Sequence, residues 1–425
     1  MKLKTLTTAI LLSLPTAGAF AAALDRSGQS ISAFLQPDNY FEAGISVLDA
    51  NVDGNVSKTF ASSPALRGSS LSDMADSYYF PTAALKLQAT ENISVGLLYD
   101  QPFGAEATYS SADASGASYA PGPTSLGNLG AFHDGNGNST NVEVHTQNIS
   151  LIGGFQPNEN LNIYAGGVYQ EVKGHVELQG STYGGAAAFG GYKAKIDKNE
   201  AYGWLAGIAY QIPEIALKAS ITYRSEIEHD VKIKESSSSP VNIGPSINAL
   251  SGQAETNITT PQSVNLDFQT GVMANTIAFA NLRWVNWKEF AIRPYAFGKV
   301  APALAASTGK ANGFDLVAYE DDQISATVGV GRKFNDLWAG NVSLGWDSGA
   351  GDPVTTLGPT EGYWNVGLGL QYSPTPATFI AGGVKYFMLG DAKAQSGADF
   401  GTDKYVAEFE DNDAWAYGLK IGYKF

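Results

Sequence analysis

The last eleven residues, Trp415-Ala416-Tyr417-Gly418-Leu419-Lys420-Ile421-Gly422-Tyr423-Lys424-Phe425, decide how the rest of the chain is read. Every second residue is large and apolar, and those between are Ala, Gly or Lys. A repeat of two belongs to a β-strand, with the large side chains on one face. The other face is small and cationic, so the two faces need different surroundings. A strand that turns Trp, Tyr, Leu, Ile and Phe outward at the end of a chain fits the closing strand of an outer-membrane barrel, whose outside meets lipid. A half-buried sandwich strand would show the same alternation, so the assignment needs support from elsewhere.

The start of the chain supplies some. Lys2 and Lys4, the apolar stretch from Leu6 to Leu14 and Ala19-Phe20-Ala21 read as a secretory signal peptide over residues 1–21. The mature chain is expected to begin at Ala22, with cleavage before Leu24 as the alternative. No later stretch has the roughly 18 uncharged apolar residues that a membrane-spanning helix needs. A chain of this kind that enters a membrane must cross it as a closed barrel, the other structure that satisfies its backbone. The sequence has no Cys, which excludes a disulfide framework and thiol chemistry. A net charge of −15 argues against nucleic acid as a partner. A length of 425 residues would suit two or three soluble domains, but no break in composition divides the chain. The organisation read from it is a short N-terminal plug segment, 22–40, followed by one barrel, 41–425.

Strand-like alternation recurs throughout. Tyr202, Trp204, Ala206, Ile208, Tyr210 and Ile212 share one face, opposite Gly203, Leu205, Gly207, Ala209 and Gln211. Trp364, Val366, Leu368, Leu370 and Tyr372 oppose Tyr363, Asn365, Gly367, Gly369 and Gln371. Such runs reach the roughly 9–11 residues that a tilted membrane strand requires. Connections alternate between tight turns, such as Thr90-Glu91-Asn92, Pro213-Glu214 and Asn335-Asp336, and long loops rich in Gly, Ser, Ala and Pro. The long ones are placed near 51–76, 105–140, 175–199, 235–257, 291–318, 349–361 and 391–404. Turns on one side and loops on the other is the outer-membrane arrangement, with the turns periplasmic, and the count gives about 14 antiparallel strands.

Four internal segments sharpen this. Tyr99-Asp-Gln-Pro102-Phe103-Gly104 closes the third predicted strand. Pro lacks a ladder donor and Gly packs poorly, so the strand either breaks or ends there. In Ile221-Thr-Tyr223-Arg224-Ser225-Glu226-Ile227, parity turns Arg224 and Glu226 inward, as a bracing pair or as ligand contacts. Leu282-Arg-Trp284-Val-Asn-Trp287-Lys-Glu-Phe290 is aromatic at a strand end, as an interfacial girdle would be. The fourth runs from Tyr319-Glu-Asp-Asp322 through Asn335-Asp-Leu337-Trp338 to Gly345-Trp-Asp347-Ser348. In order and spacing these segments resemble the FadL family of outer-membrane transporters for long-chain fatty acids and other hydrophobic molecules. The resemblance covers nearly the whole mature chain. It implies that Pro102, Phe103 and Gly104 mark a lateral opening through which ligand slides into the bilayer. It also implies that the third and fourth outer loops first hold the ligand. Phe189, in the apolar run 183–190, and Ile247 and Leu250, in 241–250, are the candidates there. Lys173 occupies a family-like position at the end of the fifth strand, and Leu205 and Arg224 face the lumen.

Two departures from the family stand out. Members carry a longer plug with Asn-Pro-Ala, whereas only Leu24 to Tyr40 precedes the first strand here, with Gln36-Pro37-Asp38 in place of that motif. Fatty-acid-binding members place basic residues in the lumen, whereas Glu320, Asp321 and Asp322 lie near the tenth strand here, which gives weight to a neutral ligand. Catalysis finds no support: the four His residues form no metal spacing and no Ser/His/Asp arrangement can be placed. The expectation is a monomeric channel in the bacterial outer membrane, without cofactor or metal. Its partners would be a hydrophobic small molecule and membrane lipid. A substrate-specific water-filled porin is the alternative.

Overall fold

The computed structural model describes residues 24–117, 129–239 and 242–425. The expected signal peptide lies outside these residues. Fourteen strands form the wall: β1 Tyr40–Asn51, β2 Tyr78–Gln88, β3 Ile93–Asp100, β4 Asn141–Asn158, β5 Leu161–Leu178, β6 Tyr192–Ile212 and β7 Leu217–Arg224 make the first half. The second half is β8 Ser263–Met273, β9 Thr276–Val285, β10 Gln323–Lys333, β11 Trp338–Asp347, β12 Tyr363–Tyr372, β13 Thr378–Leu389 and β14 Asp413–Lys424. Each pairs antiparallel with its neighbours in chain order. The sheet closes where β14 pairs β1, in register from Tyr40↔Lys424 to Asn51↔Asp413. Closure removes the two long edges that an open sheet would carry.

Alternation assigns the two faces. Leu419, Ile421, Leu368, Val342, Val328 and Ile208 stand exposed on the outside, while Lys420, Ser343, Asn365 and Ala209 are buried inside. Exposed apolar residues in such numbers are stable against hydrocarbon. Aromatic residues mark both rims of this band. Trp346, Trp364, Tyr386, Trp415 and Tyr417 lie toward the long loops; Trp338, Tyr372, Tyr423 and Phe425 lie toward the tight turns.

Strands β4, β5 and β6 run to 18, 18 and 21 residues, longer than a bilayer crossing needs. The wall therefore rises past the loop-side rim here. The sequence predicts a loop at 175–199, where the upper ends of β5 and β6 lie instead. The extension carries His175, Glu177, Lys193 and Lys195; clear of lipid, it has no continuous apolar face to reveal it. The long loops share an apolar core with the inner face of the extended wall. Phe60, Leu66, Tyr109, Phe132, Phe189, Trp287 and Phe297 are all buried in it. The helix Ile243–Leu250 and the short helix Tyr295–Val300 join the same layer, which roofs the loop end of the barrel.

Residues 24–39 lie inside the barrel. Ile31, Ala33, Phe34 and Leu35 are buried with Leu98, Ile152, Tyr164, Val168 and Leu205. The Phe34 ring meets Tyr164 edge-on at 5.7 Å. Gly96 faces that ring, and any Cβ there would collide with it.

Candidate functional site

Strand β3 stops pairing at Asp100↔Asn148, and the chain resumes at Gly104↔His145, continuing on β4 to Thr108. From 100 to 104 is four steps and from 148 to 145 is three, so β3 carries one extra residue, a bulge. Inward parity shifts across it, from Leu98 to Phe103 and Ala107. Pro102 has no N–H to give, and a side chain mends the ladder beside it. Thr146 Oγ1 accepts from Phe103 N at 2.9 Å and donates to Phe103 O at 2.7 Å.

The N-terminal segment covers this break from within. Arg26 N donates to Pro102 O at 2.7 Å, Gly104 N donates to Leu24 O at 2.8 Å, and Asp25 bridges Phe103. Residues 24–26 thus act as a short added strand. Gly104 is required here, because a Cβ would lie 2.5 Å from the Arg26 guanidinium carbon and 2.7 Å from Val144 O. Arg26 is buried with its guanidinium 3.7 Å above the Tyr78 ring. Asp25 takes two hydrogen bonds from Arg283, at 2.6 and 3.1 Å, and Gln29 takes a third at 3.0 Å. Both charges are buried, so the pair fixes the segment only while both partners are present.

Behind the break lies a cavity of about 180 Å³. Ile31, Ala33, Leu35, Leu98, Ile277 and Phe279 give it apolar walls, and Tyr99 and Asp100, at the foot of the break, border it. Its cations are Lys218, Arg224, Lys385 and Lys420. Lys218 donates to Leu35 O at 2.6 Å and Lys420 pairs with Glu42 at 3.0 Å. Lys385 is 6% exposed, and neither a hydrogen bond nor an ion pair to a described residue engages it. Arg224 is 7% exposed, with Nη1 lacking a hydrogen-bond partner among the described residues. Sequence reading did not single out Lys218, Lys385 or Lys420. The available signal was parity, since each sits on the inward face of its strand.

A second pocket, of about 250 Å³, opens among the long loops beside Tyr183, Phe189, Phe297, Phe314 and Leu357. Phe189 and Phe297 stack there at 4.1 Å. Of the residues proposed from sequence, Arg224 borders the inner cavity and Phe189 the loop pocket. Leu205 is buried against the N-terminal segment. Ile247 and Leu250 pack in the loop core but not around this pocket. Lys173 stands exposed at a register shift between Val172 and Gly174, away from both cavities. Three other expectations change. Glu226 is exposed rather than inward, because the chain leaves strand geometry at Ser225 and parity shifts. Trp287 is fully buried, its Nε1 donating to Gln323 at 2.8 Å, and forms loop core rather than girdle. Asp322 accepts from Trp284 Nε1 and Lys288 N, so it braces the loop layer; the carboxylates that do line the inner cavity are Glu42, Asp100 and Asp267. Among the described residues no His, Asp or Glu group is arranged to hold a metal.

A sequence model of the family described as outer membrane protein transport protein (OMPP1/FadL/TodX) matches residues 21–425. Among solved structures, a Pseudomonas aeruginosa FadL homologue superposes with a TM-score of 0.64 at 14% identity, covering 98% of this chain and 99% of that one. The toluene transporter TodX of P. putida gives 0.56 at 12% identity over 92% and 91%. The toluene transporter TbuX of Ralstonia pickettii gives 0.54 at 11% over 97% of each. At these identities the structural likeness is one of fold. No curated protein sequence matches the chain.

Proposed function

From the premise that this chain belongs to the OMPP1/FadL/TodX family of outer-membrane transport proteins, we propose that it takes up hydrophobic molecules passively and releases them sideways through the β3 break. The family is one of transport channels and not of enzymes, and it places the barrel in the bacterial outer membrane, with tight turns facing the periplasm and long loops outside. A single barrel chain suffices, so the channel acts as a monomer with lipid around it.

The observation that carries the reading is the bulge at residues 101–103, which follows directly on Tyr99 and Asp100 at the border of a cavity with apolar walls. Ligand lands in the loop pocket at Phe189, passes into the lumen and reaches the cavity bordered by Tyr99 and Asp100. Residues 24–26 cover the break and must yield before ligand leaves. Transfer of apolar surface from water to lipid, at roughly 25 cal/mol per Å², drives the passage. A water-filled porin fits less well, because the loop end is roofed by packed Phe132, Phe189 and Phe297. Within the hydrophobic class, Lys385 favours long-chain fatty acids over neutral hydrocarbons. A buried ammonium without a partner is costly, and a carboxylate supplies one.

Deleting Pro102 tests the route. It brings both sides of the break to three steps and restores inward parity. The barrel should assemble as before, while uptake of a labelled hydrophobic substrate falls and leakage of a small hydrophilic solute stays unchanged. Undiminished hydrophobic uptake in an assembled barrel would mean that the ligand leaves axially.

A further inference from the structure

On the lipid face of β10 to β13, outward side chains are missing where the strands pair in one row. That row is Arg332↔Gly340, Gly340↔Leu370 and Leu370↔Gly382. With glycine at two of its four outward positions, the wall holds a shallow groove of about 540 Å³. Val330, Phe334, Val342, Leu368, Leu370 and Val384 line it, and Arg332 borders it. The Phe334 ring closes one end, 3.1 Å from where a Cβ of Gly340 would be. At the other end, nothing lies closer than 3.6 Å to a Cβ on Gly382.

The depth of the groove follows from register. Trp338 and Tyr372, with ring centroids 4.8 Å apart, form the next outward row toward the periplasm. Such aromatic pairs sit at the membrane–water boundary. The groove therefore lies on the hydrocarbon side of that boundary, and Arg332 with it. Alternation makes this arginine conspicuous, because Ile324, Ala326, Val328 and Val330 precede it on the same face. It is exposed, and no hydrogen bond or ion pair to a described residue engages it. Asp336, an acid of the adjacent turn, is engaged by Lys333 at 2.8 Å. A lipid-facing arginine at this level costs little only if its long stem carries the charge to the headgroups. A guanidinium also matches phosphate oxygens in pairs, as an ammonium does not.

We propose that this groove seats one phospholipid of the periplasmic leaflet, with an acyl chain along the row of glycines and the phosphodiester on Arg332. Charge complementarity selects the headgroup and the missing side chains select the chain. Lipopolysaccharide shares both chemistries but belongs to the outer leaflet, at the opposite rim of these strands. The site is separate from the lumen, and its occupancy does not depend on the uptake route.

Native mass spectrometry of the full-length barrel, delipidated in mild detergent and titrated with phosphatidylglycerol and phosphatidylethanolamine, tests this. Wild type should hold one phospholipid beyond the exchangeable background. Arg332→Ser and Gly382→Leu should each weaken that retention by about tenfold or more, through the lost charge-assisted bonds and the filled groove. Both variants should assemble and transport hydrophobic substrate as wild type does, which separates failure here from failure of the transport reading. Retention equal to wild type in either variant overturns the proposal, as does a wild-type protein that retains only detergent or lipopolysaccharide.

Discussion

Lys385 concentrates the chemistry of the lumen in one atom. Its ammonium borders an apolar chamber in which Lys420 has Glu42 and Lys218 has a backbone carbonyl. Replacing it with Met keeps the length and removes the charge. Binding of a long-chain carboxylate to Lys385→Met should weaken by about tenfold, the value of one charge-assisted bond, while a neutral hydrocarbon binds unchanged. Calorimetric titration with a matched acid and alkane reads the difference; equal affinities for the acid in both proteins would remove Lys385 from recognition. A second titratable residue lies in the loop layer. Glu361 accepts from Ala350 N and Gly351 N, both at 3.3 Å, yet burial pushes its carboxyl from 4.5 up to about 8. The folded loop therefore binds a proton that the unfolded chain releases near pH 4.5. Loop stability should be greatest below about pH 4.5, fall as pH rises to about 8 and level off above it. Glu361→Gln should flatten that profile, as read by amide exchange across residues 348–362. An unchanged slope would assign it to another group.

At the scale of elements, β14 joins its two neighbours through registers that run nearly its whole length. The residue that follows it contributes too, since Phe425 N donates to Asn39 O at 3.1 Å and its ring stacks on Tyr423 at 5.5 Å. Deleting Phe425 should lower the fraction of barrel that migrates in the heat-modifiable form, because the closing strand loses its last anchor to the β1 side. Full assembly without it would show that the aromatic terminus is dispensable. The same elements show what sequence could deliver. Strands with lipid on one side and lumen on the other announce themselves, because Trp364, Val366 and Leu368 must alternate with Asn365 and Gly367. Pro102 announced a disturbance in β3. That the disturbance is one extra residue, covered by residues 24–26, depends on contacts to Thr146, Arg283 and the chain start, which no local pattern encodes. Parity misplaces Glu226 for the same reason, since it holds only while the strand does. Lys173, assigned only by likeness to the family, lies in the fifth strand at a register shift, exposed and apart from both cavities.

The whole molecule has a small interior for its circumference. The loop layer roofs one end, residues 24–39 fill much of the other, and a modest cavity remains between them. The formal charge of −15 gives no hint of a cavity bordered by four cations and three carboxylates, which shows how little a whole-chain sum says about a lumen. The seam between β1 and β14 has a further consequence, one of timing. Tyr40 must find Lys424 across almost the entire chain, and contacts of such sequence separation form late. Until Asp413–Lys424 arrives, β1 and β13 each present a bare row of amides and carbonyls, which invites pairing with other chains. The protein therefore has no shorter stable version of itself. A chain cut before residue 413 is an open ribbon with two bare edges, and the N-terminal segment that stoppers the finished channel then has no closed wall to pack against.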